Sequence, residues 1–355
     1  MKMRWPIICL VGALAGAWNV AEAQTVKVTP VGQRTGEFCA QDRAILFEDP
    51  TGVRILYDPA NTVAGGSDPR LGEVHAILVS HAHPDHLGNA KLNQDPDSNN
   101  ASCSAAMTTP APNSNTAEIA AAKRSAVIAG GPLATIIGRL IAAVAGSSTA
   151  GCPAAGLTNE VVVPLTAACT GSVGLGGKRT VRHMSAARGV QITAVTAEHP
   201  NDLSSAFVAE PERTNLASAG LGAYVGLANG FVVTFTNGLR AYLSGDTGLT
   251  SDMATIVRDF YHANLAVINI GDVFTTGPEE AAFAITDLIR PISVIPSHVN
   301  EAATQGGRPA GLRTSRFVEL LSAHSHTGVS VFMPLSGITM EFNSLGYCEA
   351  GCQGQ

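Results

Sequence analysis

The stretch SHAHPDHLGN, residues 80–89, places three of the chain's ten histidines and an aspartate in the six positions 81–86. It follows HAILVS, residues 75–80, a short run with the pattern of a buried strand. A buried strand that empties into four metal-competent side chains demands a scaffold that collects chemistry at strand ends, as α/β folds do. Alternate residues of an extended segment point the same way, so His81 and His83 can share one metal ion. Asp85 and His86, just past Pro84, can aim at a second position beside it. Imidazole and carboxylate suit zinc, manganese or iron, and the absence of thiolates argues against a soft structural zinc site.

Four ligands do not complete two metal shells. Three further segments repeat the arrangement of a buried run ending in a metal-competent residue: ITAVTAE before His199, LRAYLSG before Asp246 and ISVIPS before His298. Asp246 as a bridge, with His199 on one ion and His298 on the other, gives each ion three or four protein ligands and leaves room for a shared hydroxide. Two such ions roughly 3.5 to 4 Å apart are a hydrolytic device.

The series H-A-H-P-D-H, A-E-H-P, S-G-D-T-G and P-S-H resembles the metallo-β-lactamase superfamily, over roughly residues 25–345. The segments INIGD, GPEEAA and ISVIPSHVN are similar to the branch of ascorbate-6-phosphate lactonase-like proteins and N-acyl phosphatidylethanolamine phospholipase D. The resemblance implies a four-layer αβ/βα sandwich of the α/β (α+β) class. It also implies two divalent transition-metal ions, with Zn2+ preferred to Mn2+ or Fe2+. His81, His83 and His199 would hold the first ion, Asp85, His86 and His298 the second, and Asp246 would bridge them. Asp58, which ends VRILYD, matches an early aspartate that orients a ligand histidine. Asp85 and Asp246 are the catalytic carboxylates in this reading. The commonest subclass of true zinc β-lactamases has cysteine where this chain has Asp246. The expectation is therefore a hydrolase that uses a metal-bridged hydroxide on an ester, lactone or phosphodiester of a small molecule. The alternatives are a β-lactamase-like amide hydrolase and a metal-binding protein without turnover. Tyr261, His262 and Arg313 are candidate substrate contacts.

With 355 residues, 45% hydrophobic and 14% charged, the chain can bury a sizeable core. In residues 1–23, Lys2 and Arg4 precede the apolar run PIICLVGALAGAW and the small-residue stretch AEA, the pattern of a secretory signal cleaved after Ala23. The apolar run is shorter than the roughly 20 residues a membrane span takes, and no later run is long enough. A periplasmic or secreted protein is expected, its domain being residues 24–355. That part carries 20 basic and 27 acidic residues, a formal charge of −7, without a basic cluster, which speaks against a nucleic-acid partner. Cys39, Cys103, Cys152, Cys169, Cys348 and Cys352 remain, an even number suited to disulfides whose pairing the sequence leaves open, as it does the oligomeric state.

TVKVTPVG, RAILFEDPTG and VRILYDPA read as opening antiparallel strands, and FTNGL as a tight hairpin. TSDMATIVRDFYH and GPEEAAFAITDLIRP read as helices. Residues 95–177, rich in Ala, Ser and Thr, are expected to be an insertion or lid. Within them, AEIAAAKRSAVIAGGPLATIIGRLIAAVAG reads as two short helices broken at Gly130, Gly131 and Pro132.

Overall fold

Alternation of side chains decides how the layers stack. In the strand Leu265–Asn269, Leu265 and Val267 join one core cluster while Ala266 and Ile268 join another. In Ala76–Leu78, Ala76 and Leu78 face that same first cluster and Ile77 faces the opposite side. Strands covered on both faces show unbroken apolar runs, and these do. The computed structural model describes residues 24–110 and 113–353; the expected signal segment, residues 1–23, lies outside them.

Two sheets result. The first has nine strands in the order Cys348–Ala350, Met340–Phe342, Val26–Pro30, Ile45–Glu48, Arg54–Tyr57, Ala76–Leu78, Ala126–Ala129, Cys169–Ser172 and Ala150–Gly151. The second has eight: Ser330–Val331, Ser293–Ser297, Leu265–Asn269, Arg240–Leu243, Asn229–Thr234, Val190–Thr196, Lys178–His183 and Val161–Val163. Side chains from both sheets fill the central cluster, where Phe47 and Phe235 meet at 5.7 Å between ring centres. Such a pair adds about 1 kcal/mol beyond its buried area. The helices Asn115–Lys123 and Gly131–Ala145 supply Ile119, Leu133 and Ile137 to the outer face of the first sheet. Met253, Val257, Ile285 and Phe317 cover the second. Helix, sheet, sheet, helix is the expected four-layer αβ/βα sandwich.

The opening strands pair antiparallel as expected, Ile45–Glu48 lying between Val26–Pro30 and Arg54–Tyr57. The Asn-Gly hairpin closes through Phe235 N to Leu239 O at 2.9 Å, with Gly238 at φ +104°. Helix Pro278–Phe283 starts with its proline in the first turn, and Glu280 accepts from Gly277 N at 3.2 Å. The segment expected as a helix over TSDMATIVRDFYH forms one wide turn, Met253–Arg258.

The stretch 95–177 is only in part an excursion. SAVIAG, between the two Ala-rich helices, is the strand Ala126–Ala129, parallel to Ala76–Leu78 on one side and to Cys169–Ser172 on the other. All four of its residues are buried, so it lacks the alternation that distinguishes a strand from a helix in sequence. Residues 115–145 therefore belong to the sandwich itself. The cysteines pair as Cys39–Cys103, Cys152–Cys169 and Cys348–Cys352. The first bond spans 64 residues and ties the loop between Val26–Pro30 and Ile45–Glu48 to the polar segment that follows the histidine cluster. On the chain-entropy account such a closure stabilises by about 4 kcal/mol.

Strand direction positions the chemistry. Arg54–Tyr57 and Ala76–Leu78 run parallel in the first sheet, and Arg240–Leu243, Leu265–Asn269 and Ser293–Ser297 run parallel in the second. Their carboxyl ends deliver Asp58, the 81–86 cluster, Asp246 and His298 to one rim.

Candidate metal centre

After Leu78 the chain stays extended through His83, then makes a wide helical turn over Pro84–Gly88 in which Asn89 N donates to Pro84 O at 3.2 Å. Turns of this width are rare and recur at functional sites. This one swings His86 back towards His81, their ring centres 4.1 Å apart, and leaves Asp85 on the open side. Gly88, at φ +79°, lets the chain pass Ala60, whose carbonyl oxygen would lie 2.3 Å from any added Cβ.

All seven predicted donors meet. His199 Nε2 is 3.1 Å from His83 Nδ1, and His81, His83 and His199 form one group able to hold a metal ion. Asp85, His86 and His298 form a second, with His298 Nε2 3.2 Å from Asp85 Oδ2. Asp246 lies between them: its carboxylate is 3.8 Å from His81 Nε2 and 3.7 Å from His199 Nε2 on one side, and 3.3 Å from His86 Nε2 and 3.0 Å from His298 Nε2 on the other. Within each group the donor atoms lie within 4.8 Å of one another.

A set of buried atoms left without partners tests whether a metal fits. His81 Nε2, His86 Nε2 and Asp246 Oδ1 are buried and accept or donate no hydrogen bond. Each such orphan costs about 1 to 3 kcal/mol, and these three converge on one point as a group able to hold an ion. Nitrogen and oxygen donors without thiolate fit a zinc-like ion of the catalytic kind.

The opposite ring nitrogens are fixed. Asp58 Oδ2 accepts from His86 Nδ1 at 2.8 Å and from Ser80 Oγ at 2.7 Å, while Ser80 Oγ in turn accepts from His81 Nδ1 at 2.9 Å. Asp58 Oδ1 accepts from Ser80 N at 2.8 Å. One buried carboxylate thus sets two imidazoles so that both Nε2 lone pairs face inward. His199 Nδ1 donates to Phe274 O at 3.1 Å to the same effect. Asp58→Ala is expected to weaken metal binding about 10- to 100-fold, read by competition with a chromophoric chelator; unchanged affinity would deny Asp58 this role.

Burial, the largest influence, pushes His81 well below the ordinary histidine range, and neighbouring His86 adds to it. His83 and His199 are lowered too, again chiefly by burial. Burial acts the same way on His86, but the carboxylates of Asp246, Asp58 and Asp85 outweigh it and push His86 well up. Burial works to raise Asp246 and Asp85, yet His86 and His298 hold both well below the usual carboxylate range, with Arg43 helping at Asp85. Three carboxylates around buried imidazoles make a place for positive charge.

Several supporting groups carry no sequence signal. The Arg43 side chain, 2% exposed, donates to Asn300 Oδ1 at 2.8 Å and approaches Asp85 Oδ2 at 3.4 Å. Asn201 Oδ1 accepts from Ala82 N at 2.8 Å, pinning the backbone between His81 and His83. Both read as ordinary polar residues beside apolar runs. Of the three candidate substrate contacts, Tyr261 and His262 lie away from the centre. Tyr261 lines a cavity of about 410 Å³ with Leu175, Thr196 and Ile256 on the outer face of the second sheet. His262 precedes Leu265–Asn269, at the end of that strand opposite the metal donors. Arg313 faces Glu301 at 4.0 Å. Proximity in sequence to strand boundaries suggested them, but strand direction places the first two away from the centre.

A family model described as the beta-lactamase superfamily domain matches residues 41–298. The chain is similar to a UPF0173 metal-dependent hydrolase of Cupriavidus necator, 29% identical over 339 residues, covering 92% of this chain and 94% of the relative. A UPF0173 metal-dependent hydrolase of Cupriavidus taiwanensis is 32% identical over 267 residues, 75% of this chain and 71% of that one. Among solved structures, Igni18, a metallo hydrolase of the hyperthermophilic archaeon Ignicoccus hospitalis, aligns with a TM-score of 0.54 at 19% identity, over 90% of this chain and 100% of its own. At that identity the likeness speaks for the fold alone.

Proposed function

Because the chain belongs to the metallo-β-lactamase superfamily, we propose that it is a metal-dependent hydrolase acting on an ester, lactone or phosphodiester of a small molecule. The observation that carries this reading is the convergence of unpartnered, buried donor atoms from separate strand ends on one rim. His81, His83 and His199 would hold one divalent ion, Asp85, His86 and His298 the other, with Asp246 between them; zinc suits this donor set best. Bound there, the metal pair supplies a nucleophile from water at neutral pH and polarises the oxygen under attack.

The chain's own residues do the rest. Asp58 and Ser80 keep His81 and His86 in the one tautomer whose Nε2 faces the centre. The Phe274 carbonyl does the same for His199. Asp246 is buried, its side chain 4% exposed, whereas the Asp85 side chain is 32% exposed. That exposure supports Asp85 as the carboxylate a substrate would reach; as a carboxylate it would accept the proton released by the attacking water and hand it to the leaving group. Arg43 holds its Oδ2 from behind.

Export to the periplasm or medium is part of the proposal. The charged, apolar and small-residue pattern of residues 1–23 supports it, as do three disulfides, which persist in oxidising compartments. Among the described residues no helix is long and apolar enough to cross a membrane. Metal analysis of the chain from Gln24 onward, coupled to turnover of an aryl ester, a lactone, a bis-aryl phosphodiester and nitrocefin, tests the reading. The expected result is about two transition-metal ions per chain with hydrolysis of at least one of the first three. A chain that binds no transition metal, or one that cleaves nitrocefin alone, overturns it.

A further inference from the structure

The loop after strand Leu265–Asn269 wraps the centre. A side chain at Gly271 would meet His298 O at 2.3 Å, and three residues on, Phe274 O receives His199 Nδ1. Its base is held tightly: Thr276 Oγ1 accepts from Asn269 Nδ2 at 2.7 Å and donates to Asn269 O at 2.8 Å, and Thr276 N donates to Thr247 O at 2.9 Å. At its tip, Phe274 N donates to Asp272 O at 2.8 Å across a single residue. That residue, Val273, has φ +63°, which is the rare and strained form of the three-residue turn. A β-branched residue in this conformation is an outlier, and such outliers persist where the surroundings impose them and cluster at functional sites.

If the turn served only to aim the Phe274 carbonyl, glycine or asparagine at 273 would hold it with less strain. Instead the tip displays two large apolar side chains, Val273 at 77% exposure and Phe274 at 78%. Exposed apolar side chains recur beside Asn201. Asn201, which pins Ala82 N, also donates to Leu227 O at 3.1 Å, and Leu227 is 58% exposed with Tyr224 nearby in sequence at 65%. Among the described residues, exposed apolar side chains thus stand one hydrogen bond from His199, at Phe274, and one from Asn201, at Leu227.

Resting on the hydrolase reading, we infer that Val273 and Phe274 are specificity-determining residues, and that the substrate carries an apolar chain of several carbons next to the scissile group. The chain lies on the 273–274 tip and the scissile group sits over the metal donors. Covering those side chains removes apolar surface from water only when such a substrate is bound.

Alkyl hydroxamates separate the two parts, because the head group binds metal and the tail reads the rim. With the zinc-loaded protein, calorimetric titration should show octanohydroxamate binding at least about tenfold tighter than acetohydroxamate. Phe274→Ala and Val273→Ala should each lose most of that ratio, and Phe274→Leu should keep it. The ratio is unaffected by a general loss of fold or metal, which weakens both ligands alike. Equal affinity of the two hydroxamates for the unaltered protein, or a ratio unchanged in both alanine variants, overturns the inference and leaves the hydrolase reading standing. Failure of both ligands to bind while zinc is retained overturns the hydrolase reading and this inference with it.

Discussion

Asp246→Asn is expected to cost at least one of two metal ions and to lower kcat/KM on a cleaved substrate by about a thousandfold or more. Asp246 is the group in contact with both halves of the centre, facing His81 and His199 through Oδ2, His86 through Oδ1 and His298 through Oδ2. Asparagine keeps the volume but removes the charge, in a setting where the side chain is buried and hydration cannot compensate. The amide nitrogen has no lone pair to offer a metal, and by donating to the inward-facing Nε2 lone pairs it would occupy the atoms that an ion needs. Asp58→Ala, by comparison, acts only through the orientation of two rings, so its effect should be smaller. Metal content by mass spectrometry beside steady-state kinetics checks both. An Asp246→Asn protein with two ions and full turnover would remove the aspartate from its bridging position.

Stripping the metals is the second large effect, this time on stability. An ion at a thousand times its dissociation constant stabilises the folded chain by about 4 kcal/mol. Without it, His81 Nε2, His86 Nε2 and Asp246 Oδ1 stay buried and unpartnered, and the buried carboxylates are left facing His86, His298 and Arg43 in place of a divalent charge. A chelator should therefore lower Tm by on the order of 10 °C in a chain of this size, and added zinc should restore it. Scanning calorimetry reads the shift directly. Equal melting temperatures with and without chelator would mean that the donors are held by the protein alone and gain nothing from an ion.

The seven side chains that the structure gathers at one rim were legible in the sequence, because histidine and aspartate at the end of a buried run are chemically distinctive and packing gives no reason for them there. The sandwich was readable too, through short apolar runs and the Asn-Gly turn that joins Asn229–Thr234 to Arg240–Leu243. What holds the donors in place was not. The Phe274 carbonyl is a backbone group, and no side chain announces it. Arg43 stands 42 residues before Asp85, and Asn201, although two residues past His199, pairs with Ala82 119 residues away, so both partnerships emerge only once the strands are ordered. Strand Ala126–Ala129 hid between two Ala-rich helices because burial on both faces erased its period. Tyr261 and His262 misled for the converse reason: they stand beside a strand, but at its amino end, and only the parallel pairing of Arg240–Leu243, Leu265–Asn269 and Ser293–Ser297 reveals which end carries chemistry.

The centre itself is tested most directly by anomalous X-ray diffraction from crystals of the zinc-loaded protein, recorded on both sides of the zinc edge. Two peaks are expected, one ligated by His81, His83 and His199, the other by Asp85, His86 and His298, with the Asp246 carboxylate reaching both. No peak among these residues, or zinc bound elsewhere with the seven side chains unligated, would contradict the assignment of this rim as a metal centre.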